Sequence, residues 1–175
     1  MMAGQRMVHK VNIRRATIPE LDIALPLLER FFAEEGFETP SNQIRAGLVD
    51  LLSDEGSTVF LARLDTVPVG VATVTTSSGV EFGLSAELED LYVIPEMRGR
   101  GVGGKLIESV ISWCRSQHCT LVSAMVTPEG QATRDLIGYY AAHGFRETGR
   151  TLLYAHLEGT QRGANQSSQA AESQI

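Results

Sequence analysis

The sequence predicts a mixed α/β fold built as one domain, and three observations carry that expectation. Short segments with apolar residues in alternation mark strands, among them 10–15, 58–64 and 67–75. Longer segments with apolar residues three and four apart mark amphipathic helices. Between residues 88 and 114 a strand-like run, a glycine-rich loop and a helical pattern follow one another directly. The bulk composition agrees: 175 residues, 43% hydrophobic and 21% charged, is enough chain for one sizeable core.

Residues 10–15 place Val11 and Ile13 on one side of a first strand. Thr17-Ile18-Pro19-Glu20 reads as a helix start, with a hydroxyl to cap, a proline beside it and an acid three residues past Thr17. Leu21, Ala24, Leu25, Leu28, Phe31 and Phe32 form the apolar face of that helix, and Gly36 ends it. A second helix follows Thr39-Pro40-Ser41, carries Ile44, Leu48, Leu51 and Leu52, and closes at Gly56. Residues 58–64 and 67–75 form a hairpin turning near Asp65-Thr66, and 76–79 reads as a polar loop. Residues 86–94 make a further strand, and a helix starts near Gly101. A strand over 120–127 stops at Pro128, a helix over 133–143 is capped by Gly144, and 150–157 is a last strand. Residues 1–9 are expected to be flexible and the polar, aperiodic run 159–175 disordered, leaving 10–158 as the folded domain.

No apolar run reaches the length of a membrane span, and the first ten residues lack the apolar centre of a secretory signal, so no membrane partner is expected. Cys114 and Cys119 have no metal-ligand spacing and read as core thiols, which fits a cytoplasmic location. No paired His or Cys motif is present, so no metal is expected. A formal net charge of −6 argues against nucleic acid as a partner. The charge is unevenly spread. Between residues 16 and 60 nine acids stand against two bases, Arg30 and Arg45, whereas the glycine loop is basic. Such polarity suits an anionic cosubstrate at one place and a cationic acceptor at another.

The run Arg98-Gly99-Arg100-Gly101-Val102-Gly103-Gly104-Lys105 precedes a helix with apolar positions 106, 107, 110, 111 and 114. A helix entered through glycines leaves its first amides free, and these donors with the positive end of the helix dipole form an anion site. The dinucleotide fingerprint is met by Gly99, Gly101 and Gly104, but no acid follows about 20 residues on to hold a ribose. The nucleoside-triphosphate loop is met from Gly99 to Lys105, yet Leu106 stands where a Mg²⁺-binding hydroxyl belongs. A third loop accounts for the flanks as well. Leu91-Tyr92-Val93-x-Pro95-Glu96 followed by Arg98-x-x-Gly101-x-Gly103 resembles the coenzyme A loop of the GNAT acetyltransferase superfamily. Downstream, Tyr140-Ala141-Ala142-His143-Gly144-Phe145 resembles that superfamily's Tyr-x-x-x-Gly-Phe helix end. The resemblance runs over residues 11–157.

The resemblance implies a mixed, mostly antiparallel sheet splayed at a cofactor cleft, with acetyl-CoA as cosubstrate. It implies that Leu91, Tyr92, Val93 and Ile94 line the pantetheine arm. Arg98, Gly99, Arg100, Gly101, Val102, Gly103, Gly104 and Lys105 would hold the pyrophosphate. Glycines at 101 and 103 would let a phosphate approach the main chain with no Cβ in the way. The Val93 amide would meet the developing oxyanion. Tyr140 occupies the position of the thiol-side acid, whereas Tyr139, roughly 100° away around the helix, reads as packing. Where the family often keeps an asparagine, seven residues before the tyrosine, Thr133 stands as the cofactor contact.

Acetyl transfer to an amine needs a base, because an alkylammonium of pKa about 10.4 is neutral only to about one part in a thousand at pH 7. The candidates, in order, are Asp90, Glu87 and Glu89, all on the strand before the loop. Glu87 lies where histone acetyltransferases of the superfamily keep a glutamate, and Asp90 where its aminoglycoside acetyltransferases often keep an aspartate. Regular alternation puts 87 and 89 on one face and 90 on the other, unless a bulge intervenes. Glu34 and Glu35 join these acids as the expected acceptor-binding set. His118 and His143 read as surface imidazoles near helix ends.

The expected activity is acetyl transfer from acetyl-CoA to a primary amine by direct attack in a ternary complex. The expected acceptor is a small cationic amine, aminoglycoside-like or polyamine-like, with antibiotic resistance as one consequence. A protein N-terminus or lysine is the rival acceptor, and a non-catalytic acyl-CoA-binding regulatory domain is the rival from another class. A homodimer is expected by analogy alone.

Overall fold

The computed structural model describes residues 10–153 and residue 155. The expectations for 1–9 and 159–175 lie outside the described residues. Five strands form one sheet in the order β1-β2-β3-β4-β5: β1 (Val11–Arg15), β2 (Ser57–Leu64), β3 (Val67–Gly79), β4 (Gly83–Val93) and β5 (Val122–Ala124). The first four pair antiparallel and β5 joins β4 in parallel, the mixed α/β sheet that the sequence predicts. α1 (Leu21–Glu34) and α2 (Ser41–Ser53) cover one face, and α3 (Val102–Ser116) covers the other. α4 (Pro128–Arg134) and α5 (Leu136–Ala141) follow β5.

Strand alternation explains the two helical layers. Val59, Leu61 and Val71 face α1 and α2, while Phe60, Ala62, Ala72 and Val74 face α3. Both sets are buried, so β2 reads as a continuous apolar run rather than an amphipathic one. On α3, Leu106, Ile107 and Val110 are fully buried, each such side chain stabilising the fold by roughly 1.5–3 kcal/mol. α1 is entered through a short 3₁₀ turn, Ile18–Glu20, closed by the expected capping box: the Thr17 amide donates to Glu20 Oε2 at 3.2 Å. The buried Glu20 also accepts from Arg14 and, at 2.7 Å, from Arg63, tying this helix start to β1 and β2.

Several expectations need correction. Residues 76–79 are strand, since β3 runs on to Gly79 and sets Thr76 opposite Ala86 and Gly79 opposite Gly83. This end of the ribbon reaches past the helices, where no apolar face is required, hence its polar composition. The strand expected over 120–127 is only the three residues of β5. Residues 133–143 are two helices: Asp135 takes a left-handed φ of 47° and caps α5 by accepting from the Gly138 amide, which breaks the chain from α4. The described residues of 150–157 form no strand.

Gly70 of β3 lies where β4 and α3 close on the sheet. A Cβ there would stand 2.8 Å from the Tyr92 carbonyl oxygen and 3.2 Å from Leu106 Cδ1. Gly70→Ala should therefore lower stability by about 1–3 kcal/mol, read from urea unfolding. An unchanged midpoint would show that β3 and β4 part there at no cost.

Candidate functional site

The site lies where β4 parts from β5. Their parallel pairing ends with Leu88 opposite Ala124, while β4 continues to Val93. Beyond that point β4 stays with β3 on one edge, and the Ile94 amide donates to Val69 O at 3.0 Å. Alternation turns the N–H and C=O of Val93 toward the other edge, which no strand pairs among the described residues. A cleft of about 920 Å³ opens along it. β4 forms one wall, α4 and α5 the other, and the loop before α3 closes one end.

At the loop end the main chain is open. Gly99 and Gly101 take left-handed φ values of 69° and 76°, and a Cβ on either would meet nothing within 4 Å. Gly101 begins α3 without a side-chain cap, whereas the side chains of Thr127 and Asp135 cap α4 and α5. The Arg98 amide reaches Pro95 O and the Lys105 amide reaches Gly101 O; between them no main-chain amide has a protein partner among the described residues. Those free donors at the positive end of α3 make an anion cradle, with the Lys105 ammonium adding charge.

A further demand falls on Gly103 and Gly104. A Cβ on Gly103 would collide with the Tyr139 hydroxyl, and one on Gly104 would come 2.8 Å from His143 Cε1. The bare surface lets α5 lie against the first turn of α3, with the Tyr139 and His143 rings edge to face at 5.1 Å. Both side chains line the cleft, so neither is only packing or surface. No motif marks them. The available signal is their i, i+4 spacing, a bulky stripe that needs a bare partner.

Toward the opposite end β4 carries its acids, and a bulge decides where they point. Thr73 pairs with Asp90 but Val74 pairs with Leu88, which leaves Glu89 as an extra residue. Asp90 and Glu87 therefore share a face, opposite Thr73 and Thr75 of β3. Asp90 accepts from the Thr73 hydroxyl, whose oxygen in turn accepts from the Asp90 amide at 3.1 Å. Burial pushes the Asp90 carboxyl above its usual range, Thr73 opposes this and Glu89 adds to it. Glu87 is likewise raised, by burial and then by Glu89. Glu89 is exposed and accepts from the Thr75 hydroxyl at 2.7 Å. Across the cleft, burial pushes the Tyr140 phenol up to about 12, so it keeps its proton at neutral pH.

Four expected residues do not line the cleft: Ile94, Arg100, Thr133 and Glu34. The Thr133 hydroxyl bonds its own helix at Glu129 O, 2.8 Å away. Glu34 accepts from Arg98 Nη2 at 2.7 Å and lies 3.6 Å from Arg134 Nη1, while Glu35 lines the cleft and pairs with Arg134. Arg98 lines the cleft too, but its Nε and Nη2 already have protein acceptors. Its Nε donates to Val93 O at 2.9 Å and its plane lies over the Tyr92 ring at 5.5 Å. Every other expected site residue lines the cleft. Among the described residues, no group of three or more His, Cys, Asp or Glu could hold a metal ion, and no helix is long and apolar enough to cross a membrane.

The profile of the Acetyltransferase (GNAT) family matches residues 22–145. An aminoglycoside N(6')-acetyltransferase type 1 from Serratia marcescens is 32% identical over 120 residues, covering 66% of this chain and 80% of that protein. The peptidyl-lysine N-acetyltransferase YjaB of Salmonella typhimurium is 28% identical over 143 residues, 81% of this chain and 87% of that protein. Among solved structures, AAC(6')-Iy in complex with the bisubstrate analogue CoA-S-monomethyl-acetylneamine shares the fold, with a TM-score of 0.73 at 24% identity over 85% of this chain and 99% of the other. The chain belongs to the GNAT acetyltransferase family and is an acetyl-CoA-dependent N-acetyltransferase.

Proposed function

We propose that the protein acetylates a primary amine of a small cationic molecule, aminoglycoside-like or polyamine-like, by direct attack in a ternary complex. One observation carries this reading. A single cleft joins the open amides of Gly99 and of 101–104 to the carboxylates of Glu35, Glu87, Glu89 and Asp90. The first end suits an anionic cosubstrate and the second an ammonium group. Relatives named aminoglycoside N(6')-acetyltransferases, 28% to 34% identical, support the acceptor class. The relative named a peptidyl-lysine N-acetyltransferase favours a lysine side chain as the second reading.

Acetyl-CoA brings the thioester. Its diphosphate would rest on the amides of 99–104, and its extended arm would run along the edge of β4 that β5 leaves free. The Val93 N–H on that edge would donate to the thioester oxygen as charge develops there. Asp90, once ionised, would take the ammonium proton, with Glu87 and Glu89 holding further cationic groups. Tyr140, protonated throughout the neutral range, would donate to the departing thiolate. No protein nucleophile is required, because holding both reactants in one cleft supplies much of the rate.

The direct test mixes the protein with acetyl-CoA and a panel of diamines, aminosugars and lysine peptides, following free thiol. Turnover confined to lysine peptides would establish the second reading. Coenzyme A binding with no turnover on any amine would make the chain a regulatory domain instead.

Asp90→Asn should lower kcat/KM by about 10²–10⁴-fold yet raise the Tm at pH 7. Because the folded pKa of Asp90 lies above its unfolded value, the folded state binds this proton more tightly. Stability therefore falls as pH rises from the unfolded value through the folded one, and a neutral amide escapes that loss. Calorimetry and a pH–rate profile check both effects; a fully active variant of lowered Tm would remove Asp90 from the role. Tyr140→Phe should lower kcat by about 10²-fold and leave coenzyme A affinity unchanged, whereas an unchanged kcat would assign the ring to packing. Gly103→Ala should weaken coenzyme A binding in calorimetry by pushing α5 off α3. Tyr139→Phe in the same chain removes the colliding hydroxyl and should restore it; no restoration would return Gly103 to phosphate approach.

A further inference from the structure

We propose that Glu34 is a positioning residue for acetyl transfer, acting through Arg98 on the main chain at Val93. Arg98 is the first cation of the basic loop, and by charge alone it would be counted a phosphate ligand. Its contacts lead elsewhere: Nη2 to Glu34 Oε2 at 2.7 Å, Nε to Val93 O at 2.9 Å, and its plane to the Tyr92 ring at 5.5 Å. A guanidinium holds two acceptors at a fixed angle, which an ammonium cannot do. Val93 lies on the β4 edge that β5 has left, so among the described residues no neighbouring strand fixes its carbonyl. The Arg98 Nε–H takes the place of that strand. Glu34 aims the fork, and its carboxyl is held below the usual range chiefly by Arg98, so the pair stays charged.

The inference rests on the proposed role of the Val93 amide, which sits one peptide before the carbonyl that Arg98 holds. Displacing such a donor by about 1 Å costs on the order of 10²-fold in rate. The role as positioning residue therefore predicts a loss in kcat rather than in cosubstrate affinity.

The test uses Arg98→Lys, Arg98→Gln, Glu34→Gln and the double variant Glu34→Gln/Arg98→Gln, with kcat at saturating substrates and coenzyme A affinity by calorimetry. Each single variant should lose about 10- to 10²-fold in kcat with affinity held within about threefold, and the double variant should be no worse than either. Arg98→Lys keeps the charge yet should be as impaired as Arg98→Gln. The opposite pattern overturns the proposal: Arg98→Gln weakening coenzyme A more than about tenfold, with Arg98→Lys and Glu34→Gln at wild-type kcat, would make Arg98 a phosphate ligand. Additive losses in the double variant would also overturn it. The Val93 carbonyl ¹³C and Ile94 amide ¹⁵N resonances should shift in Glu34→Gln and Arg98→Lys whether or not an acceptor is turned over. Unmoved resonances sink the brace. A wild-type protein that turns over no amine strikes the proposed function instead.

Discussion

The parting of β4 from β5 after Leu88 is the constraint on which the rest of the structure depends. β5 arrives by a crossover through α3, pairs over Ala86, Glu87 and Leu88, and then leaves. β4 cannot follow, because β3 holds it to Val93 and Val69 holds the Ile94 amide. A strip of strand edge is thus left without a partner strand among the described residues. Such an edge is ordinarily a hazard, since it invites another chain to pair. Here α4 and α5 wall it off, so an extended ligand can reach it along the cleft. The turn out of β4 must lead into α3, which puts the anion cradle at the end of the same strip.

One residue sets the chemistry at the far end. Without the bulge at Glu89, Asp90 would point toward α3, among Val74, Leu88 and Leu106. An ionised carboxylate there would be untenable. The extra residue turns Asp90 to the face of Thr73, a fully buried hydroxyl whose bond with Asp90 gives both groups a partner. Burial is still sufficient to raise the pKa of the carboxyl. The proposed base is thereby kept weakly acidic and close to the Val93 edge, at some expense in stability.

Much of this was legible in the chain because burial leaves a period. Leu106, Ile107, Val110, Ile111 and Cys114 announce α3, and Thr17 with Glu20 announces the start of α1. The cradle was legible because a left-handed, uncapped helix entry is a local demand that glycine answers. Other features had no local signature. Thr76, Ser77 and Ser78 lie on a ribbon that extends past the helices, so no apolar alternation marks them as strand. The break at Asp135 depends on a side chain reaching Gly138, and the bulge depends on how β3 meets β4. The charge of Arg98 was plain, but its partner Glu34 is 64 residues away. Pairing over that distance is settled by packing, and no spacing rule encodes it.

The four glycines of the loop divide into two pairs with separate physical causes. Gly99 and Gly101 supply backbone conformations and face open space, whereas Gly103 and Gly104 supply a flat step on α3 for Tyr139 and His143. Tyr140 stands next to Tyr139 on the six-residue helix α5, and the two rings meet edge to face at 5.7 Å. The seat of α5 on that glycine step therefore sets the height of the Tyr140 hydroxyl over the cleft. The anion cradle and the proposed proton donor are thus held by the same contact between α3 and α5. A side chain added at Gly103 would act on both at once, although it would touch neither the phosphate nor the thiol.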